Sequence, residues 1–276
     1  MAKLTRKLWV GIGAVTIAGA SMTGAPQAQH GAHKQEGAPK AAQDGPAAAN
    51  PAEGGEAYLT DGGPKDTRIR FYRDIELMRG HLRVGQELIG LDLWDEALPH
   101  FLHPTEELYS LLEKYIQLHH MTPFKRDLDA LAQTVKAKRK GAYEQALKVV
   151  DRRLKASLDV AKKFMTPSVR PFTVGTAVEV LRVAQSEYEA SIENGKFALP
   201  VEYQDSRGFV WQAESMFEAA APELKRIDKG AFAAIRESLN KLKAAWPAPM
   251  PPDKPVVEPG EVSALVSNIE LHVSRY

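Results

Sequence analysis

The chain predicts an all-α fold, an antiparallel helical bundle built from two related three-helix units, and three observations carry that prediction. Between about residue 66 and residue 273, apolar residues recur at alternating spacings of three and four, the period of one helix face. Glycine, proline and Asx-rich stops break that pattern into segments of helix length. The third observation is an internal repeat. Leu82-Arg83-Val84 with Gln86 returns as Leu181-Arg182-Val183 with Gln185, an offset of 99, and Ala97-Leu98-Pro99 returns as Ala198-Leu199-Pro200, an offset of 101. In both copies a helix stop separates the matched segments and an amphipathic helix follows, which points to a duplication.

The first helix is expected to start at Asp66-Thr67, where either side chain can cap it, and to bury Phe71, Ile75, Met78, Leu82, Gly85 and Ile89. His81 lies beside that face and reads as a packed core histidine, with Glu87 near the edge. Gly90-Leu91-Asp92 ends the helix, and Trp94-Asp95 opens a second with Pro99 in its first turn. Pro104 removes a backbone donor from that second helix, so a kink or local opening is expected there, with the carbonyl of His100 set free. The helix continues through Leu108, Leu112 and Ile116 to His119-His120. Phe124 to Phe164 reads as one helix, or as two broken near Gly141, with the basic cluster around Lys136 to Lys140 on a solvated face.

Met165-Thr166-Pro167-Ser168 marks the break between the copies. The second copy opens with Val174, Val178, Leu181, Gln185, Tyr188 and Ile192 at helical period and stops at Glu193-Asn194-Gly195. It restarts at Leu199-Pro200 and runs through Phe209 and Phe217 toward Pro222, and a further helix covers about Lys229 to Trp246. The Pro-rich stretch from Pro247 to Gly260 can only be an extended strap. A short amphipathic helix, Val262 to about Val273, closes the chain. The bundle is thus placed at residues 65–246, with repeats at about 66–164 and 168–246, and the strap and last helix at 247–276.

The N-terminal residues are of another kind. Lys3, Arg6 and Lys7 precede the apolar run Leu8 to Ala20, and small residues offer cleavage after Ala20 or Ala28. This pattern reads as a secretory signal over residues 1–28, too short for a membrane span, and places the mature protein in the periplasm or outside the cell. Residues 29–64 are rich in Ala, Gly, Pro and Gln and read as a disordered linker, in which His30 and His33 are solvated. Beyond the signal no apolar run is long enough to cross a bilayer. The 276 residues contain no cysteine, which excludes disulfides, thiolate ligands and a thiol nucleophile, so stability has to come from an apolar core, and the hydrophobic content of 44% allows one. With 36 basic and 35 acidic residues the formal charge is +1, and nothing in that balance calls for nucleic acid.

Chemistry concentrates in the second helix. His100, His103 and Glu107 fall on one helix face, within about 60° of one another, and Glu106 stands one turn from His103. Imidazole with carboxylate suits a borderline first-row ion such as iron, copper or zinc, and helical bundles present such ligands at one-turn spacing. In the second copy the counterpart segment holds Glu202 and Asp205 at i, i+3, so two facing copies would bring those carboxylates to the histidines. Tyr109 and Tyr203 are within range to add a phenol. Glu202 and Asp205 also fit the first turn of a helix, where carboxylates favour the dipole. No organic cofactor is indicated. The strings GxSxG, GxGxxG, HExxH and the P-loop are absent, so catalysis is the weaker expectation.

The segment LIGLDLWDEALPHFLHPTEELYSLL, with its Gly/Asp turn, Ala-rich start and HxxE element at His103-Pro104-Thr105-Glu106, resembles the imelysin-like (EfeO-type) proteins, exported all-helical bundles that include a periplasmic component of bacterial iron uptake. That resemblance implies His103 and Glu106 as ligands and an envelope transporter or permease as partner. The reading that follows is an exported metal-binding or metal-uptake accessory protein, for iron or copper. A non-catalytic, partner-binding bundle of the cell envelope and an imelysin-like peptidase are the alternatives.

Overall fold

The computed structural model describes residues 63–163 and 169–276. The expected signal segment, the linker up to residue 62 with His30 and His33, and the break at Met165–Ser168 lie outside the described residues. Asp66 caps the first helix as expected, its carboxylate accepting from the Arg68 backbone N–H at 2.8 Å, and α1 runs Thr67–Gly90. Asp92 then takes a positive φ of 62° and accepts from the Trp94 indole N–H at 2.8 Å, which turns the chain into α2, Trp94–His103. That start leaves Pro99 inside the helix rather than in its first turn.

Pro104 acts as its chemistry requires. It has no N–H to offer the His100 carbonyl, and the helix widens into a π-helical turn over Pro104–Leu108 before continuing as α3, Tyr109–Leu118. The long helical pattern that follows divides into α4 (Lys125–Lys136) and α5 (Lys140–Lys163). The break falls at Lys138, whose φ is +52°, a few residues before Gly141, and Lys138 pairs there with Asp95 at 3.0 Å.

The second half opens with α6, Val169–Ala190. Glu193-Asn194-Gly195, expected as a simple helix stop, is a β-hairpin. The strands β1 (Ile192–Glu193) and β2 (Lys196–Phe197) pair antiparallel, Ile192 opposite Phe197, around Asn194 and Gly195, both at positive φ. Two left-handed residues in succession are what a two-residue hairpin turn needs, and Asn-Gly supplies them. The chain continues as α7 (Pro200–Ile227), α8 (Lys229–Leu242), a 3₁₀ turn (Lys243–Ala245) and α9 (Pro259–Val273). Between the last two the proline-rich strap lies over α6 and α7, held by Tyr188 Oη donating to the Val257 carbonyl at 2.7 Å and Tyr203 Oη donating to the Ala248 carbonyl at 2.8 Å.

The all-helical bundle expected from the sequence is therefore present. Its centre is the set α1, α6 and α7, with α2 closing one side; α4 and α5 pack outside α2 and α1, and α9 packs on α6 and α8. Because α1 is enclosed by α2, α6 and α7, it is buried well beyond a single stripe. Arg73, Asp74 and Glu76 are all buried, so each needs a partner. Arg73 Nε donates to Asp74 at 2.8 Å, and Glu76 accepts from Gln212 Nε2 of α7 at 2.6 Å.

The α1–α7 contact is unusually close. A Cβ on Gly208 would stand 2.3 Å from the Gly80 carbonyl oxygen, and one on Gly80 would meet the Phe209 ring at 2.5 Å. Two hydrogens in place of two side chains let these helices cross backbone to backbone. Among the described residues no helix is long and apolar enough to cross a membrane.

Candidate metal centre

The glycine crossing places His81, next to Gly80, opposite Asp205, one turn before Gly208. His81 Nδ1 lies 2.6 Å from Asp205 Oδ1. The α2 helix brings His100 and His103 to the same carboxylate, His100 Nδ1 at 2.7 Å from Oδ1 and His103 Nδ1 at 3.0 Å from Oδ2. Three imidazoles from two helices thus converge on one carboxylate from a third. His100 is fully buried, and Asp205 and His81 are 2% and 3% exposed.

His103 sits at the rim and also meets Glu107 at 3.3 Å across the π turn. The second nitrogen of His100 pairs with the side-chain amide of Gln204 at 2.9 Å, and that amide donates to Met250 Sδ of the strap at 3.3 Å. His81 Nε2 and His103 Nε2 make no hydrogen bond among the described residues. Nε2 of His81 is open to an ion without breaking the network, and Nε2 of His103 becomes so once it gives up its proton.

The electrostatics follow from that packing. Burial works against the Asp205 charge, but His81, His100 and His103 outweigh it and hold the carboxyl well below the usual range. Burial likewise disfavours a charged His103; Asp205, by charge and hydrogen bond, then Glu107 and Glu202, overcome this and take it up to about 10. His81 goes the other way, since its complete burial exceeds the pull of Asp205. An ionised acceptor therefore holds three Nδ1–H donors, which orients each ring, and the raised His103 carries a proton on both nitrogens.

Of the residues expected from the sequence, His100, His103, Glu107 and Asp205 meet here, and Glu202 faces the same niche from the first turn of α7. Glu106 does not join them. It is exposed, and Glu107 is the acid that meets His103, so the HxxE spacing does not describe the local pairing. The phenols are also engaged elsewhere, Tyr109 Oη accepting from the Phe124 backbone N–H at 3.2 Å and Tyr203 Oη on the strap.

Two residues escaped the sequence reading. His81 was expected in the core, and Glu187 of α6 carried no periodic signal. Burial first, then the charges of Glu202, Asp205 and Glu107, push the Glu187 carboxyl well above the usual range.

Two groups of side chains have donor atoms close enough to hold one ion each. His81, His100 and Asp205 form one, and His81, His103 and Glu107 the other, all donor atoms within each group lying within 4.8 Å of one another. Nitrogen and carboxylate oxygen in this mixture fit a borderline transition ion.

Residues 166–276 match the family of the iron permease-associated 4-helix bundle domain. No curated protein and no solved structure matches the chain. The matched span holds α6 to α9, and so Glu187, Glu202 and Asp205; the histidines come from α1 and α2, ahead of it. The match supports the helical-bundle and iron-uptake parts of the expectation, while the imelysin-like assignment still rests on the residues quoted for it.

Proposed function

We propose that this is an exported metal-binding protein of transition-metal uptake, with iron as its cargo and an envelope permease as its partner. The observation that carries the reading is the convergence of His81, His100, His103 and Asp205 in the interior of the bundle. Packed structural histidines normally find separate backbone or side-chain partners. Here three share one carboxylate, and two of them, His81 and His103, also lie with Glu107 in a second compact group of donor atoms. The association of the matched family with iron permeases supports iron over copper or zinc, and with it a permease as the partner that receives the ion. The basic, apolar N-terminal segment supports export.

In this reading Asp205 and Gln204 orient the rings. The imidazoles of His81 and His103 and the carboxylate of Glu107 do the holding, and the half-exposed rim at His103 and Glu107 is the way in. In the arrangement described, the Nδ1 atoms and Asp205 are drawn together by hydrogen bonds of 2.6–3.0 Å. Ligand-to-ion distances of about 2.0–2.2 Å put neighbouring donors farther apart than that, so an ion coordinated by the Nδ1 atoms would displace the carboxylate by about an ångström.

The test is metal content of the full chain purified without a polyhistidine tag. Wild type is expected to retain a first-row metal, iron first when iron is supplied, and His81→Ala combined with His103→Ala to lower the retained metal at least tenfold. Equally poor binding by wild type and variant would overturn the reading.

A further inference from the structure

The basic cluster that begins at Lys136 takes no part in the metal centre, and the fold gives it a place of its own. The hairpin of α4 and α5 packs on the outside of α2 and α1. Residues 125–163 hold twelve of the 36 Lys and Arg but only five of the 35 Asp and Glu, which puts a net charge of +7 on this hairpin and −6 on the rest of the chain. We propose that the outer face of the α4–α5 hairpin is a docking surface for a bilayer rich in anionic phospholipid. It is independent of the metal-binding reading.

Helix geometry turns the excess charge into a surface. The α5 helix buries Tyr143, Val150, Leu154, Leu158 and Ala161 against the bundle. On its other side Lys148, Arg152, Lys155 and Lys163 are exposed and fall within about 80° of one another around the helix. Asp159 is the one acid inside that arc. Lys136, Arg139 and Lys140 add exposed cations at the tip of the hairpin, so the charges are spread along a helix roughly 36 Å long.

These cations are left for an outside partner. None of the seven forms a hydrogen bond or ion pair among the described residues, whereas Lys138 pairs with Asp95 at 3.0 Å and Arg153 with Asp127 at 2.8 Å. Like charges one turn apart, as Lys148 with Arg152 and Arg152 with Lys155, work against a helix. A layer of anionic headgroups turns that repulsion into attraction. The same layer repels the net negative remainder of the molecule, so one orientation is favoured.

The make-up of the face selects lipid over other anions. Protein partners are held by aromatic and apolar anchors at the centre of a patch, where lysine is depleted, and single-stranded nucleic acid needs aromatic platforms. None of the exposed large apolar side chains lies between residues 125 and 163. Five of the seven cations are lysines, point charges on flexible stems that suit a diffuse field of headgroups better than one shaped partner.

The test is co-sedimentation with vesicles, using protein that begins at Ser21 so that the basic, apolar segment ahead of it cannot itself bind lipid; every described residue is kept. Wild type is expected to bind vesicles containing about one third phosphatidylglycerol, to ignore pure phosphatidylcholine, and to be released as salt rises from about 0.05 M to about 0.5 M. Each facing charge is worth about fivefold in partitioning, so Lys148→Gln, Arg152→Gln and Lys155→Gln together should weaken binding on the order of a hundredfold. Lys196→Gln, Lys229→Gln and Lys254→Gln together remove the same charge from exposed positions elsewhere and should change binding less than about threefold. Circular dichroism melts establish that both triple variants are folded, and Lys163→Gln alone, expected to cost about fivefold, replaces the hairpin triple if that does not fold. Equal loss in the two triples, wild-type binding to phosphatidylcholine as tight as to the anionic vesicle, or no binding to the anionic vesicle would each overturn the proposal. Tighter binding of polyglutamate or of duplex DNA than of the anionic vesicle at the same salt would also overturn it, by assigning the stripe to an acidic protein or to nucleic acid.

Discussion

Asp74 shows what burial at the bundle centre does to a single side chain. Burial pushes its carboxyl up to about 6, against the opposing charges of Arg73 and Arg70. The ordinary value is near 4, so between about pH 4 and pH 6 the folded protein binds a proton that the unfolded chain has released. The contribution to stability is complete below pH 4 and is lost as pH rises through 6. About two pKa units correspond to a loss on the order of 3 kcal/mol across that window. Urea unfolding at pH 4, 5, 6 and 7 is expected to show this fall, and Asp74→Asn to flatten it; a variant that keeps the wild-type slope would show that another group is responsible. The same scale explains what could be read in advance. His100 and His103 were legible because one-turn spacing is a local property of sequence, and Asp205 because the repeat supplied a counterpart segment. His81 stands 19 positions from His100 beside an apolar face, and nothing local distinguishes it from a packed core residue. Only the close crossing at its neighbour Gly80 makes it a member of the site. Glu187 was hidden for a different reason, since acids on a helix face are ordinary and its raised carboxyl arises from burial and from three acids on other elements.

At the scale of elements, the helix crossing is the device that builds the centre. The Gly208 position tolerates no Cβ, because the nearest atom is a backbone carbonyl oxygen at 2.3 Å, which cannot rotate away as a side chain could. Gly208→Ala must therefore drive α7 off α1, a cost of about 2–3 kcal/mol or more. It also moves Asp205 away from His81, so retained metal is expected to fall further than the stability loss alone accounts for. Gly175→Ala is the control: it lies inside α6 with nothing within 4 Å of the added carbon, and should stabilise by about 0.5–1 kcal/mol through the lower entropy of the unfolded chain. Thermal melts and metal content of the two variants separate the crossing from a general effect of glycine replacement, and equal behaviour would refute it. Helix positions were largely legible because a period of 3.6 is a strong local signal. The hairpin at Asn194-Gly195 was not, although Asn-Gly is the commonest marker of such a turn, because a two-residue strand is too short to show alternation. Pro104 announced a disturbance, but whether a proline yields a kink or a π turn depends on what packs around it.

For the whole molecule, the central question is whether the two halves are domains or parts of one core. The repeat suggests two units, and the family match covers the second alone. The packing argues for one core. The described residues belong to a single compact unit, α1 lies against α6 and α7 of the other half, and the candidate centre takes its histidines from one half and most of its carboxylates from the other. Separated, the second half would expose the face of α7 that carries Asp205, Gly208, Phe209 and Gln212, with Asp205 deprived of all three imidazoles. The first half would expose Glu76 and His81 on α1, which meet Gln212 and Asp205 of α7. Each exposed face combines apolar surface with charged groups shaped for the other, so the halves should find each other when cut between Lys163 and Val169. Co-expressed as two chains with a tag removed before analysis, they are expected to co-purify as a one-to-one complex with a single cooperative melt and with metal bound only by the complex. Either half alone is expected to bind a hydrophobic dye and to melt without cooperativity. If residues 169–276 instead melt cooperatively as a monomer and retain metal unaided, the centre belongs to the matched half and the histidines of α1 and α2 are dispensable to it.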